Sequence, residues 1–90
     1  MATATLIQFG EECDAGKIES AEKFKTQFEN YLKEYPTLEI NAVAIGKAYA
    51  AACSYYFRKG QKTKAKDYLL QGLKISPDNY ELRVRMQMIR

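Results

Sequence analysis

The stretch that predicts the fold most clearly spans residues 46–79 and reads GKAYAAACSYYFRKGQKTKAKDYLLQGLKISPDN. On both sides of Gly60 the apolar residues recur every three or four positions, which is the period of one face of an α-helix. The two stripes consist of Ile45, Tyr49, Ala52, Cys53 and Tyr56, and of Ala65, Tyr68, Leu69, Gly72 and Leu73. Because glycine readily takes the left-handed turn that ends a helix, the pattern predicts helices over residues 41–59 and 61–75.

Helical periodicity also covers the rest of the chain. It predicts a short helix over residues 4–13, a long helix over residues 17–35 that ends before a proline, and a last helix over residues 77–89. Ser76 is expected to cap the last helix, with Pro77 at its first position. The three stripes are Leu6, Ile7, Phe9 and Cys13, then Ile18, Ala21, Phe24, Phe28, Tyr31, Leu32 and Tyr35, and then Leu82, Met86 and Ile89. No β-hairpin signal competes, so the sequence predicts an all-α protein of about five helices.

Two segments of the chain are alike. Gly16 and Ala21 recur as Gly60 and Ala65, 44 residues later, and a proline follows the long helix in each case. A turn-forming glycine followed five positions later by a small residue suits two antiparallel helices whose backbones approach closely. We therefore expect stacked antiparallel helix hairpins within a single domain that spans residues 1–90.

The second of these units, residues 46–79, resembles a tetratricopeptide repeat. With its first residue at repeat position 1, the small positions 8 and 20 hold Cys53 and Ala65, and the aromatic position 11 holds Tyr56. Proline stands at position 32, as in the family. The sequence departs from the family pattern at positions 7, 24 and 27, which hold Ala52, Leu69 and Gly72. The resemblance covers a little more than a third of the chain.

The resemblance implies an α-solenoid fragment and a groove. Residues 1–36 would form a degenerate first repeat, and residues 77–90 a terminal helix or an incomplete third unit. In this family the first helices of successive repeats line a concave groove that binds peptides or helices. Its groove positions fall here on Lys47, Ala50, Ser54, Phe57 and Arg58. Ala50 and Ser54 depart from the subfamily that clamps the carboxylate of chaperones, so that ligand is not expected.

Composition excludes several classes of protein. The chain has no histidine, which removes Ser-His and Cys-His nucleophile systems and most zinc sites. Cys13 and Cys53 are too few for a disulfide framework, and free thiols favour a reducing cytoplasm. No apolar stretch approaches the roughly 20 residues that cross a bilayer. Composition thus leaves no catalytic site in view and predicts a cytoplasmic protein that needs no metal or cofactor and does not enter a membrane. The resemblance to tetratricopeptide repeats implies a non-catalytic scaffold that binds a protein or peptide.

Charge is divided unevenly along the chain, which leaves two alternatives open. Residues 1–40 hold four lysines and eight acidic residues, a net charge of −4, whereas residues 41–90 carry +7. The first alternative is self-association, which both this charge asymmetry and the apolar character of the last helix favour. The apolar residues that could form the contact are Leu82, Val84, Met86, Met88 and Ile89. The second alternative is nucleic-acid binding through the basic run at residues 58–66. It has less support, because Tyr55 is the one nearby tyrosine off the core stripe that a base could stack on.

Overall fold

The computed structural model describes residues 2–37 and 39–89, and within these ranges every regular element is an α-helix. The five helices are α1 (Ala2–Asp14), α2 (Ile18–Glu34), α3 (Ala42–Arg58), α4 (Lys62–Ile75) and α5 (Tyr80–Ile89). Helices α1 and α2 form one hairpin and α3 and α4 form a second, α1 lies beside α3, and α5 packs on both α3 and α4. The prediction of an all-α protein built from helix hairpins is confirmed. The expected domain limits at residues 1 and 90 lie outside the described residues.

The two hairpin turns have the same backbone geometry. Gly16 and Gly60 take positive φ angles of 78° and 77°, which a residue with a Cβ rarely adopts. At each turn the residue after the glycine donates its N–H to the carbonyl five residues earlier, at 2.8 Å from Lys17 and 2.9 Å from Gln61. This hydrogen bond closes the helix end in a Schellman turn. The repeat at 44 residues is therefore present in the backbone as well as in the sequence.

The core runs through both hairpins and includes α5. Ala21 and Ala65, the small residues that follow the two turns, are completely buried and let the paired helices approach closely. The rings of Phe9 in α1 and Tyr49 in α3 meet edge to face with centroids 5.3 Å apart, which joins the two hairpins. From α5, Leu82 is completely buried in the same core. One continuous cluster thus holds the five helices together.

The last helix begins three residues later than the sequence predicts. Ser76 ends α4 instead of opening α5, because its N–H donates to the carbonyl of Gly72 at 2.9 Å. A turn follows, in which the N–H of Asn79 donates to the carbonyl of Ser76 at 3.1 Å. Asn79 then accepts the N–H of Leu82 on its side-chain oxygen at 3.3 Å. The prediction of Ser76 as the cap was wrong, and Asn79 caps α5.

Two residues of the predicted apolar stripes lie on the surface. Ile7 is 48% exposed and Tyr35 is 53% exposed. Tyr35 follows the last residue of α2, where its N–H still donates to the carbonyl of Tyr31 at 2.8 Å. Ile7 lies on the side of α1 opposite the buried Leu6, Phe9 and Cys13 stripe. The protein therefore buries only part of the apolar stripe predicted for the first helix and only part of the one predicted for the second.

Candidate functional site

A pocket between α3 and α5 brings together three of the five residues predicted to bind a partner. The cavity has a volume of about 330 Å³, and we call it the α3–α5 pocket. Its lining residues are Cys53, Ser54, Phe57, Arg58, Arg85, Met88 and Ile89. Ser54, Phe57 and Arg58 share one face of α3 because residues three and four positions apart are neighbours on a helix. Helix α5 supplies the opposite wall.

The other two predicted residues lie elsewhere. Lys47 lines a separate cavity of about 450 Å³ at the start of α3 and α5, together with Asp78 and Tyr80. Ala50 is only 3% exposed and belongs to the core, where it leaves little surface for a partner to contact. The predicted groove is therefore reduced to the half of α3 that follows Ala50.

The α3–α5 pocket combines apolar walls with two guanidinium groups. Phe57 is 49% exposed and Met88 is 76% exposed, so both offer apolar surface to a ligand. Arg85 donates from Nη1 to the Ser54 hydroxyl at 3.1 Å, and its Nε lies 3.7 Å from a carboxylate oxygen of Glu81. Arg58 forms no ion pair with residues 2–37 or 39–89, and none of the lining residues is acidic. The pocket suits a ligand that carries a carboxylate beside an apolar group.

Sequence reasoning missed Arg85. It lies on the last helix, whereas the predicted groove residues all lie in α3. The only signal in the sequence is that Arg85 and Met88 are three residues apart and so share a helix face. That signal becomes informative once α5 is known to lie beside α3.

The two cysteines are free and buried. Burial, and after it the charge of nearby carboxylates with that of Glu22 foremost, raises the pKa of the Cys13 thiol to about 12. Burial also raises the pKa of Cys53, against the opposing effect of the Arg85 charge. Because the thiolate is the reactive form of cysteine, neither thiol is prepared to act as a nucleophile at neutral pH.

We expect the free energy of unfolding to decrease in alkaline solution, with a contribution from Cys13. In the unfolded chain a thiol has a pKa of about 8.5, so above that pH the unfolded state releases a proton that the folded state keeps up to about pH 12. Each pH unit in this window costs the folded state at most about 1.4 kcal/mol. Urea unfolding at several alkaline pH values should show a shallower decline for Cys13→Ala than for the wild type. Equal slopes would contradict the assignment to Cys13.

The basic run at residues 58–66 is partly engaged by the protein itself. The Lys59 ammonium lies 5.6 Å from the ring centroid of Tyr55, and that of Lys64 lies 4.6 Å from the centroid of Tyr56. Tyr55 is half-buried, and its ring meets that of Tyr56 edge to face. These contacts stabilise the hairpin turn and leave less of Tyr55 for a base to stack on.

The apolar residues of the last helix divide between core and surface. Leu82 and Ile89 are buried, and Val84 and Met86 are half-buried. Met88 is largely exposed at the α3–α5 pocket. Of the five residues predicted for self-association, Met88 therefore offers the most surface, and it offers it beside Phe57.

Other kinds of site are not found in the described part of the chain. Residues 2–37 and 39–89 contain no group of three or more cysteine or acidic side chains arranged to hold a metal ion. None of the helices described there has the length and apolar character needed to cross a membrane. Among protein-family models, curated proteins and solved structures, none matches this chain. The α3–α5 pocket is thus the feature from which a function is best argued.

Proposed function

We propose that this protein is a non-catalytic protein-interaction module that holds a helix or peptide in the α3–α5 pocket. One observation carries the proposal: Ser54, Phe57 and Arg58, selected from the repeat register, line a mostly apolar cavity with Arg85 and Met88. The resemblance to tetratricopeptide repeats supports it, since that family binds its ligands on the first helices of its repeats. A scaffold or adaptor role in the cytoplasm agrees with two free, buried cysteines.

The pocket chemistry defines the ligand that we expect. An apolar side chain of the partner would bury against Phe57 and Met88, which supplies most of the affinity. A carboxylate of the partner, about one helical turn from that apolar side chain, would accept two hydrogen bonds from the Arg58 guanidinium, because the planar guanidinium binds a carboxylate in a bidentate manner. A basic peptide would bind poorly, because its positive charge would lie against the two guanidinium groups of the pocket, those of Arg58 and Arg85. The preferred partner is therefore an acidic segment with an exposed apolar residue.

Alanine at Phe57 or Arg58 should weaken partner binding about tenfold or more, which is the usual effect of removing an interface anchor. A suitable probe is a peptide selected from a random display library on the wild-type protein and measured by calorimetry. The matched control is Leu70→Ala, which removes a side chain of similar exposure, 52%, from α4. Circular dichroism should show that all three variants keep their helix content. An unchanged affinity for both Phe57→Ala and Arg58→Ala would remove the site assignment.

Self-association is the second candidate function, and a specific observation favours it. Met88 and Phe57 expose apolar surface side by side in a chain whose two halves carry opposite net charge. Nucleic-acid binding through residues 58–66 is a weaker third proposal, given the engaged lysines described above. Binding of that kind would decrease steeply with added salt, because neutralised phosphates release counterions.

A further inference from the structure

The outer face of α1 carries an apolar residue followed by acidic residues. Ala4, Ile7, Glu11 and Asp14 follow at spacings of three and four, so they share one side of the helix, and all four are exposed. We call this set the acidic stripe. Helix α1 contains three acidic residues and no basic one. The opposite side of α1 holds Leu6, Phe9 and Cys13 in the core, so the structure of the monomer leaves the acidic stripe without a covering element.

The acidic stripe complements the α3–α5 pocket in both of its chemical features. Ile7 is an exposed aliphatic side chain, and the pocket exposes Phe57 and Met88. One and two turns further along α1 lie the carboxylates of Glu11 and Asp14, whereas the pocket has guanidinium groups and no acid. The whole chain shows the same complementarity of charge, because residues 1–40 carry a net charge of −4 and residues 41–90 a net charge of +7.

The stripe and the pocket of one molecule do not meet. Helix α1 packs on α2 and α3. Among the described residues no Cα atom of α1 lies within 8 Å of one in α5, the helix that supplies Arg85 and Met88, and no residue of α1 lines the pocket. A stripe that fills this pocket must therefore come from another molecule. A second copy has an advantage over an unstructured acidic peptide, because α1 is already a helix and ordering it costs no further conformational entropy.

We propose that the occupant of the α3–α5 pocket is the acidic stripe of a second copy of this chain. This inference rests on the proposed function of the pocket and names its ligand. In the complex, Ile7 of one copy contacts Phe57 and Met88 of the next copy. The carboxylates of the same acidic stripe pair with Arg58 in that pocket. The two surfaces differ, so the contact is heterologous and adds molecules head to tail, either into a ring or into an open chain.

Two variants separate the two surfaces. The first, Phe57→Ala with Arg58→Ala, disables the pocket and keeps the stripe, whereas the second, Glu11→Lys with Asp14→Lys, does the reverse. All four positions are exposed, so both variants should fold. In analytical ultracentrifugation at low salt, we expect the mass of the wild type to rise with concentration above 10.3 kDa and to fall when salt is added. Each variant alone should stay monomeric.

The decisive sample is an equimolar mixture of the two variants. Only one intact pocket and one intact stripe remain in it, on different molecules, so the mixture should form a dimer and nothing larger. A mixture that stays monomeric, or a wild type that is monomeric at every accessible concentration, would overturn the inference. If the wild type is monomeric but Phe57→Ala still weakens the affinity for the library peptide, the proposed function of the pocket stands and only the proposed occupant is wrong.

Discussion

Replacing Leu82 with alanine should lower the free energy of unfolding by about 2–5 kcal/mol. Leu82 is completely buried, and it is the residue through which α5 enters the core most deeply. The substitution removes apolar contacts and leaves a cavity that rigid neighbouring helices fill only in part. A loss of this size is a large share of the about 5–15 kcal/mol that stabilises a domain. Urea unfolding followed by circular dichroism would measure it.

A coupled substitution in α4 tests how Leu82 is held. A Cβ placed on Gly72 would lie 2.6 Å from Cδ1 of Leu82 and 3.0 Å from Cβ of Tyr49. In the wild type we therefore expect Gly72→Ala to destabilise the protein, because overpacking of about 1–3 kcal/mol outweighs the helix propensity of alanine, worth about 1 kcal/mol. In the Leu82→Ala background the closest overlap disappears, so Gly72→Ala should cost less or become favourable.

The control for both substitutions is Leu70→Ala on the outer face of α4. Leu70 is 52% exposed, so its truncation should change stability by less than about 1 kcal/mol. If Leu82→Ala were as mild as this control, α5 would not be part of the core. Strictly additive effects of Gly72→Ala and Leu82→Ala would show that the two positions do not share the space between α4 and α5.

Asn79→Ala should lower the free energy of unfolding by about 1–3 kcal/mol. Asn79 is a buried polar residue, 6% exposed, and its side chain forms two hydrogen bonds. The amide Nδ2 donates to the carbonyl of Ala42 at 2.7 Å, and Oδ1 accepts the N–H of Leu82 at 3.3 Å. Alanine leaves both backbone groups without this partner, at the point where α3 and α5 begin.

A matched control separates the capping bond from the long-range bond. Asn41 caps α3 by accepting the N–H groups of Val43 and Ala44 at 2.8 and 3.2 Å, and it is exposed. Asn41→Ala therefore loses a cap without breaking a tertiary contact, at a cost of about 0.5–2 kcal/mol. Asn79→Ala should cost more than Asn41→Ala. Equal costs would mean that the hydrogen bond to Ala42 contributes nothing to stability.

The helices and their turns follow from local physics, and so they could be predicted. A stripe with helical period can bury its apolar side only as a helix, whatever covers it. The turns at Gly16 and Gly60 need a left-handed residue, and glycine takes that conformation without strain. These causes act between residues a few positions apart. The five helices, the hairpins and the repeat at 44 residues can therefore be predicted from the sequence alone.

The candidate site could be predicted in part. Ser54, Phe57 and Arg58 share a face of α3 through their spacing alone, and the repeat register pointed to that face. Arg85 and Met88 line the pocket only because α5 packs beside α3, and they lie 27 or more residues after Arg58 in the chain. The pattern of apolar residues shows that a helix has a buried side, but it does not show which neighbour supplies the wall of a pocket.

Tertiary contacts decided the features that the periodicity misjudged. Helix α5 begins after Asn79 and not at Pro77, because the Asn79 side chain bonds to the carbonyl of Ala42, 37 residues earlier, and caps the helix from that position. Ile7 stays on the surface because α2 and α3 cover the other side of α1. Local sequence sets which segments become helices, whereas the surface left after the helices pack sets what can bind, and that surface depends on residues far apart in the chain.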